Sequence, residues 1–302
     1  MIQTIKFRIH PSASQEKQLH EIFTIYNKVR RVGYKLLFQL KDTDYDDKKK
    51  RKIIQPQLMQ ICHNNPYVNT ILIDNETKLA QQQTWLKKRK KFIVNQINAI
   101  SKKIEKLKQK SNYDCRLKGL YSRLSSVQNK LMSLKLKPVV FGTKFLFRER
   151  ILNKISEQEF KIRRDASFCC VGKVQGVNLN IKMLENRTIR IHNFRKERNK
   201  IWLIIPFSVN QKQEHWYQEI LKTQKYTATI KRKLIKGDIR YFAHIAYDIP
   251  EPEPIHGFEN GAIGLDLNYN FVSLSNVDKE GNFKSYHQIS FRNCILLERI
   301  SV

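Results

Sequence analysis

Asp266 is the residue whose type and position most clearly suggest chemistry. It lies between Leu265 and Leu267 in the segment Ala262–Asn268, where apolar and polar residues alternate as they do in a strand. A carboxylate in the middle of a strand is costly unless it is paired or bound to a metal ion. Carboxylates can hold two Mg²⁺ ions that activate water and stabilise the leaving oxygen of a phosphodiester. Asp266 is therefore our candidate catalytic and metal-binding residue.

The segments after Asp266 predict a three-stranded antiparallel meander. The second and third strands are Phe271–Asn276 and Phe283–Phe291, and residues 278–282 form the turn between them. A strand with a central aspartate followed by such a meander is typical of the start of a ribonuclease-H-like domain.

Two other interpretations of Asp266 stay open. The carboxylate could accept hydrogen bonds from the turn at residues 269–271, which would be a structural role. Sugar-kinase and actin-type ATPases share the opening hairpin, but they place glycine just after the aspartate, where backbone amides meet phosphate. Leu267 and Asn268 occupy those positions here, which argues against nucleotide binding.

The net charge indicates the class of partner. The 302 residues include 57 Lys and Arg but 27 Asp and Glu, which gives a net charge of +30. Such an excess is tolerable when a polyanion neutralises it, so nucleic acid is the expected partner. A membrane is not expected, because no run of about 18 apolar residues is present and neither end carries a basic amphipathic helix. Residues 1–10 alternate apolar and polar, unlike a signal peptide, so we expect a bacterial cytoplasmic, nucleoid-associated protein.

The candidate nucleic-acid contacts are lysines and arginines that cluster along the chain. They are Arg30, Arg31, Lys87, Lys88, Arg89, Lys90, Lys91, Arg148, Arg150, Arg163, Arg164, Arg195 and Arg198. The densest stretch, residues 87–110, holds ten Lys and Arg and one acid. Trp85 beside it could stack on a base, although packing in the core is the favoured role for this tryptophan. A solvated surface charge is the alternative for each cation taken singly.

The elements that position these residues predict an α+β fold. Residues 2–9 read as a strand, which needs a sheet to join. Further short strands are predicted at residues 167–174, 177–184, 187–193, 200–208, 225–235 and 239–249, with a helix near 211–223. We therefore expect a small, wedge-type β-barrel or strongly curved sheet that is split by a helical insertion.

The insertion itself is predicted to be helical. Ser12 or Ser14 caps the first helix, residues 42–52 read as a solvated loop, and short helical patterns fill residues 55–95. Two series of apolar residues at heptad-like spacing, within 97–107 and 117–134, predict an antiparallel helical hairpin.

The expected domains follow from these elements. They are a first barrel strand (1–10), a helical recognition lobe (11–138), the rest of the barrel (139–249), a proline-rich linker (250–257) and the start of a ribonuclease-H-like domain (258–302). The five cysteines form no C-x-x-C pair, so no zinc site is expected in this chain.

Several patches resemble the TnpB (OrfB-type) family of transposon-encoded RNA-guided nucleases, relatives of type V CRISPR effectors. They are KFRIHPSASQEKQLHEIFTIYNKVRRVGYKLL from residue 6, VVFGTKFLFRER (139–150), VGKVQGVNLNIKM (171–183) and GAIGLDLNYNFVSLS (261–275), which is similar to the first RuvC motif. The resemblance implies a wedge-type barrel with a helical recognition lobe, a guide RNA, Mg²⁺, and cleavage of DNA beside a short transposon-adjacent motif. Asp266 would be the first RuvC carboxylate.

The chain also departs from that family. The family supplies a glutamate, a second aspartate and a zinc-binding cysteine cluster from segments farther along than this sequence extends, and neither Glu280 nor Glu298 has the expected context. One carboxylate cannot hold two metal ions. We therefore expect a shortened family member that binds guide RNA and DNA but does not cleave alone. The alternatives are a binding-only protein, such as a repressor or decoy, and a non-functional transposon relic.

Overall fold

The computed structural model describes residues 2–110, 115–172, 177–194, 202–249 and 258–290. The chain divides into two compact units, Ile2–Ile249 and Pro250–Val302. The fold class is α+β, as the sequence predicts. The expected linker, residues 250–257, and the candidate contacts Arg195 and Arg198 lie outside the described residues.

The larger unit combines a helical segment with one antiparallel sheet. Its helices are α1 (Ala13–Gln39), α2 (Asp47–Met59), α3 (Asn65–Lys110), α4 (Cys115–Met132), α5 (Lys144–Ile151), α6 (Glu157–Arg164) and α7 (Gln211–Thr223). Its strands are β1 (Ile2–Ile9), β2 (Ser167–Cys170), β3 (Ile181–Leu184), β4 (Thr188–His192), β5 (Trp202–Ser208), β6 (Tyr226–Ile235) and β7 (Asp238–Asp248).

The first strand lies inside the sheet, although the other strands come more than 150 residues later. The strand order is β2-β6-β7-β1-β5-β4-β3, so β1 pairs with β7 on one side and with β5 on the other. The prediction that residues 2–9 join the later strands is confirmed. Lys236 and Gly237 both have positive φ, as a tight turn between β6 and β7 requires.

The sheet is a curled half-barrel, and the prediction of a small barrel holds only in this coarser form. Its two edge strands are β2 and β3, which do not pair with each other in the described part of the chain. The Asn178 side chain bridges the gap instead. Its amide donates to the carbonyl oxygens of Cys170 (2.8 Å) and Tyr226 (3.3 Å), and its Oδ1 accepts from the Ile181 amide (2.9 Å).

Gly172, just after β2, lies close to the backbone of Tyr226 and Asn178 at this gap. A Cβ atom there would lie 2.3 Å from the carbonyl oxygen of Tyr226. We expect Gly172→Ala to lower the free energy of unfolding by about 2–4 kcal/mol, because overpacking against backbone cannot be relieved by a side-chain rotation. Urea unfolding measures the change. Gly119→Ala is the matched control, since nothing lies within 4 Å of that position in α4 and alanine favours the helix. Equal stability of the two variants would contradict the prediction.

Helix α1 packs its apolar face onto the concave side of the sheet. Ser12 caps the helix in a capping box with Gln15, which settles the choice between Ser12 and Ser14. The fully buried Phe23 meets Phe168 of β2 edge to face, with ring centroids 4.8 Å apart. The helical segment and the sheet therefore share one hydrophobic core.

The predicted loop at residues 42–52 is wrong in its second half. Asp46 caps α2, and its Oδ1 accepts a hydrogen bond from the Lys49 amide at 2.7 Å. Ile54 and Leu58 of α2 are fully buried in the core. Tertiary packing thus stabilises a helix whose composition is polar.

The short helices predicted over residues 55–95 are also a misreading. Beyond α2, one helix of 46 residues, α3, runs from Asn65 to Lys110. Its first turns belong to the core, and its later turns pack against α4. The predicted antiparallel hairpin is confirmed, with Ile93, Ile100, Ile104 and Val127 buried between its two arms.

The smaller unit contains the predicted meander. Its described strands are β8 (Ala262–Leu267), β9 (Phe271–Val277) and β10 (Phe283–Ser290), preceded by a 3₁₀ turn at Phe258–Asn260. The strand order is β10-β9-β8, with both pairs antiparallel. In neither unit does the described chain include a helix that is both long and apolar enough to cross a membrane.

Candidate nucleic-acid interface

Five basic side chains lie on the convex face of three adjacent strands. They are Lys6 and Arg8 of β1, Lys231 and Lys233 of β6, and Arg240 of β7, and we call this surface the cationic sheet face. The strand register places Arg8 opposite Phe242, which is itself opposite Lys231. Directly opposed residues of antiparallel strands project to the same face. The five cations therefore share one surface.

Alternation along each strand creates this face. Phe7 and Ile9 of β1 are buried in the core, whereas Lys6 and Arg8 between and beside them are exposed. In β6, Ile230 is buried and Lys231 is half-buried on the other side. Because the side-chain period of a strand is two, an apolar core face enforces a continuous opposite face.

The charges on this face have no carboxylate partner among the described residues, although the Lys6 ammonium lies 4.2 Å from the centre of the Phe242 ring. Lys233 stands directly opposite Arg240, and like charges so placed destabilise a sheet. In the described part of the chain, no ion pair involves any of the five cations. The acids on this side of the three strands, Asp238 and Asp248, stand at the two ends of β7. An external anion is the simplest compensation for this arrangement.

His244 lies in the middle of the cationic sheet face. It is directly opposite Lys6, and its Nε2 atom is buried without a hydrogen-bond partner among the described residues. Burial, and then the charges of Lys231, Lys6 and Lys233, lower the pKa of His244 from 6.5 to about 4. The imidazole is therefore neutral at pH 7 and reports the positive potential of the face.

The depressed pKa of His244 makes stability depend on pH. In the unfolded chain the imidazole titrates near its ordinary value of 6.5, so between that pH and about 4 the unfolded state binds more protons than the folded state. This contribution to stability is fully present above pH 6.5 and is lost as the pH falls towards about 4. We expect the free energy of unfolding to drop between pH 7 and pH 5, and to drop less in His244→Gln. Urea unfolding at both pH values measures this, and identical drops would contradict it.

The predicted basic run in α3 forms a second exposed cationic surface. Lys87, Lys88, Arg89, Lys90 and Lys91 are all exposed, and we call them the α3 basic segment. Trp85 is 61% exposed, so the favoured prediction of core packing for this residue is wrong. Phe92, seven residues farther along the same helix face, is 50% exposed, and the Arg89 guanidinium lies 5.3 Å from its ring centre. The α3 basic segment thus presents five exposed cations, and two accessible aromatic rings, Trp85 and Phe92, lie beside it.

Four of the predicted arginine contacts are held in ion pairs within the protein. Arg30 bonds Asp74 at 2.8 Å, and Arg163 bonds Glu149 at 3.1 Å. Arg31 and Arg164 both bind Asp165, whose side chain is 5% exposed. The structure brings these last two together around a buried carboxylate, so their geometry is that of a structural cluster.

The remaining predicted cations fall into two groups. Arg148 on α5 is exposed, and Arg150 is half-buried, with its Nη1 atom 3.4 Å from Asn153 Oδ1. Arg195 and Arg198 lie outside the described residues.

Asp266 lies in β8, directly opposite Ser273 of β9. Its side chain is exposed, and its Oδ2 atom accepts a hydrogen bond from the Asn268 side-chain amide at 2.9 Å. Ser273 and Tyr286 lie on the same face, with their hydroxyl oxygens 3.1 Å apart. Asp266 therefore stands on the polar face of the meander. The alternative in which Asp266 accepts hydrogen bonds from the turn at residues 269–271 is not seen among the hydrogen bonds of the described residues.

The described residues around Asp266 do not by themselves fit Mg²⁺. Their oxygen donors are one carboxylate, an amide and hydroxyl groups, whereas two hydrated Mg²⁺ ions need several carboxylates. Among residues 2–110, 115–172, 177–194, 202–249 and 258–290, no group of three or more His, Cys, Asp or Glu side chains could hold a metal ion.

Sequence reasoning missed the cationic sheet face. The signal was present in two alternating stretches, Lys6-Phe7-Arg8 and Lys231-Arg232-Lys233. Lys231, Arg232 and Lys233 are adjacent in sequence, but Arg232 is buried on the core face. Only strand pairing brings Lys231 and Lys233 onto the same face as Lys6 and Arg8. A search for cations at period two within predicted strands would have found both stretches.

Comparison with known proteins adds no relative. The sequence matches none of the protein-family models, and no curated protein is significantly similar to it. The resemblance to the TnpB family thus rests on the sequence patches alone.

Proposed function

We propose that this protein binds nucleic acid and that the cationic sheet face holds the phosphate backbone. The observation that carries the proposal is the set of five cations on three adjacent strands, including Lys233 directly opposite Arg240. None of the five forms an ion pair with another residue that the structure describes. Repulsion between like charges lowers the stability of the fold. A bound polyanion neutralises these charges, and the release of its counterions favours binding. The α3 basic segment supplies a second phosphate-binding surface with accessible rings.

We further infer that the nucleic acids are a guide RNA and transposon-adjacent DNA, as the resemblance to the TnpB family implies. The curled sheet with its N-terminal strand and helical segment is compatible with a wedge-type barrel and a recognition lobe. In this proposal the meander β8–β10 begins a ribonuclease-H-like domain, and Asp266 is its first metal-binding carboxylate. The placement of Asp266 on the polar face of the meander supports that role.

A salt titration tests nucleic-acid binding. Fluorescence anisotropy with labelled RNA and duplex DNA should show an affinity that falls steeply with salt. Five phosphate contacts correspond to a slope of about −4.5 in log K against log salt on duplex DNA. Soluble protein that lacks any salt-dependent affinity for either ligand would overturn the proposal. A discrete RNA that co-purifies with the protein would favour a working protein over a transposon relic.

Cleavage separates the nuclease proposal from a binding-only protein. Because the described residues include no group of three or more His, Cys, Asp or Glu side chains that could hold a metal ion, we expect this chain with a matched guide, target DNA and Mg²⁺ to leave the DNA intact. Asp266→Asn should behave identically. Gel analysis of a labelled target measures both. Cleavage by the unaltered chain that is lost in Asp266→Asn would contradict the expectation and would show that the chain's own residues complete the site.

A further inference from the structure

Helix α5 exposes an unusual amount of apolar surface for its length. Phe145 is 69% exposed, Phe147 48%, Ile151 63% and the adjoining Leu152 53%. Of the eight residues of the helix, Leu146 is the buried one. Large apolar side chains scattered singly over a surface need no explanation, but four within eight positions mark a contact surface.

The exposure is built into the structure around α5. Gly142 and Thr143, which precede the helix, both have positive φ, and this is rare for a β-branched residue such as Thr143. Thr143 nevertheless caps the helix, accepting a hydrogen bond from the Leu146 amide at 3.3 Å. Farther along the helix, Glu149 forms an ion pair with Arg163 of α6, with a nitrogen–oxygen distance of 3.1 Å. The ion pair holds α5 to α6, while Phe145, Phe147 and Ile151 are exposed to solvent.

The order of side chains around the helix limits what α5 can bind. At about 100° per residue, Lys144 and Arg148 lie on the crest opposite the buried Leu146. Phe145 and Leu152 form one apolar strip beside this crest, and Phe147 and Ile151 form a second strip on the opposite side. The outermost line of the helix is therefore cationic, with apolar surface along both flanks.

This arrangement fits a single strand of nucleic acid better than other partners. A membrane or an apolar protein groove would bury the cationic crest together with the flanking strips, at the cost of desolvating Lys144 and Arg148. A phosphate backbone along the crest pairs with the cations instead. Bases that turn away from the backbone then meet the rings on either flank, whereas a duplex keeps its base faces stacked and out of reach.

We propose that α5 is a binding site for single-stranded nucleic acid, with phosphates at Lys144 and Arg148 and unstacked bases against Phe145 and Phe147. The proposal rests on the nucleic-acid-binding function proposed above and adds a preference for unpaired strands to it. The local acids do not oppose this ligand, because Glu149 is bonded to Arg163 and Glu157 to Lys161.

The test compares one DNA oligonucleotide, containing 2-aminopurine, as a single strand and as a duplex. In Phe145→Ala/Phe147→Ala we expect affinity for the single strand to fall about tenfold, with duplex affinity changed less than about twofold. Stacking quenches 2-aminopurine fluorescence, so the quenching seen with the unaltered protein should be lost. Met132→Ala is the matched control, since Met132 is an exposed apolar residue at the end of α4. The Phe145 and Phe147 side chains are exposed, so the double variant should unfold at the same urea concentration.

The outcomes distinguish failure of the proposed α5 site from failure of the proposed nucleic-acid-binding function on which it rests. If the unaltered protein binds neither form of the oligonucleotide, the proposed function fails. If it binds both and the double variant keeps the same single-strand to duplex ratio, the α5 site is overturned. Binding to vesicles of phosphatidylserine and phosphatidylcholine that the double variant loses would also overturn it, in favour of a lipid surface.

Discussion

Replacing Lys231, Lys233 and Arg240 together with glutamine is expected to weaken binding of RNA and duplex DNA by roughly ten- to a hundredfold near 0.1 M salt. Each substitution removes one cation from the cationic sheet face. The slope of log K against log salt should become shallower by about one for each lost phosphate contact. Anisotropy titrations over a salt series measure both quantities. Since Lys233 and Arg240 repel each other across the strands, the same variant should be no less stable than the unaltered protein.

The control for this variant removes the same charge elsewhere. Lys161, Lys222 and Lys279 are exposed and lie 2.6, 3.3 and 3.6 Å from Glu157, Glu219 and Glu280. Their triple glutamine variant has an identical net charge but an intact cationic sheet face. We expect its affinity to change by less than about threefold, because each lysine already has a partner. Equal losses in the two variants would show that binding follows total charge, and the sheet face would not be a site.

The sequence predicted the helices and strands of this fold better than it predicted whether the sheet closes into a barrel. Alternating residues identified β1, and the need of an isolated strand for partners predicted that it joins the later sheet. The structure shows that its partners there are β7 and β5. Whether the sheet closes into a barrel depends on what fills the gap between β2 and β3. A single side chain, Asn178, does so by accepting and donating hydrogen bonds that backbone would otherwise make. No repeating pattern of apolar and polar residues in the sequence indicates this role of Asn178.

The helical segment shows the same limit. Residues 97–107 and 117–134 predicted the hairpin because their apolar spacing is regular, and its core confirms it. The continuity of α3 back to Asn65 was missed, since its first turns are buried in the shared core while its middle turns are polar. A helix that changes its environment along its length changes its sequence pattern as well.

The predicted contacts came from clusters of cations along the chain, and they did not include the three adjacent cations Lys231, Arg232 and Lys233. The α3 basic segment is exposed as expected. Arg31 and Arg164 also lie beside other cations in the sequence, but in the structure both form ion pairs with Asp165. Whether an arginine is free depends on which carboxylate the fold brings beside it. Sequence distance gives no guide, as Arg31 and Asp165 are 134 positions apart.

Asp165→Ala is expected to lower the free energy of unfolding by about 3 kcal/mol, because removing one partner of a buried ion pair leaves the others uncompensated. The carboxylate is 5% exposed, and the Arg164 guanidinium donates to both of its oxygens, at 3.0 and 2.8 Å. Arg31 of α1 reaches the same carboxylate, so Asp165 joins α1 to the end of α6. The partial exposure of the two arginines, 30% and 22%, lets water recover some of the loss. Urea unfolding at pH 7 measures the change.

Two further variants show whether this cluster is structural. Asp42→Asn removes a carboxylate that is 81% exposed beside Lys41, and it should cost less than about 0.5 kcal/mol. Arg31→Gln should lower stability but leave the salt slope of nucleic-acid binding unchanged, since its guanidinium is already engaged by Asp165. A shallower salt slope in Arg31→Gln at unaltered stability would reverse that assignment and return Arg31 to the nucleic-acid contacts. Because folding and binding are measured separately, a structural role and a nucleic-acid contact at Arg31 predict opposite results for this variant.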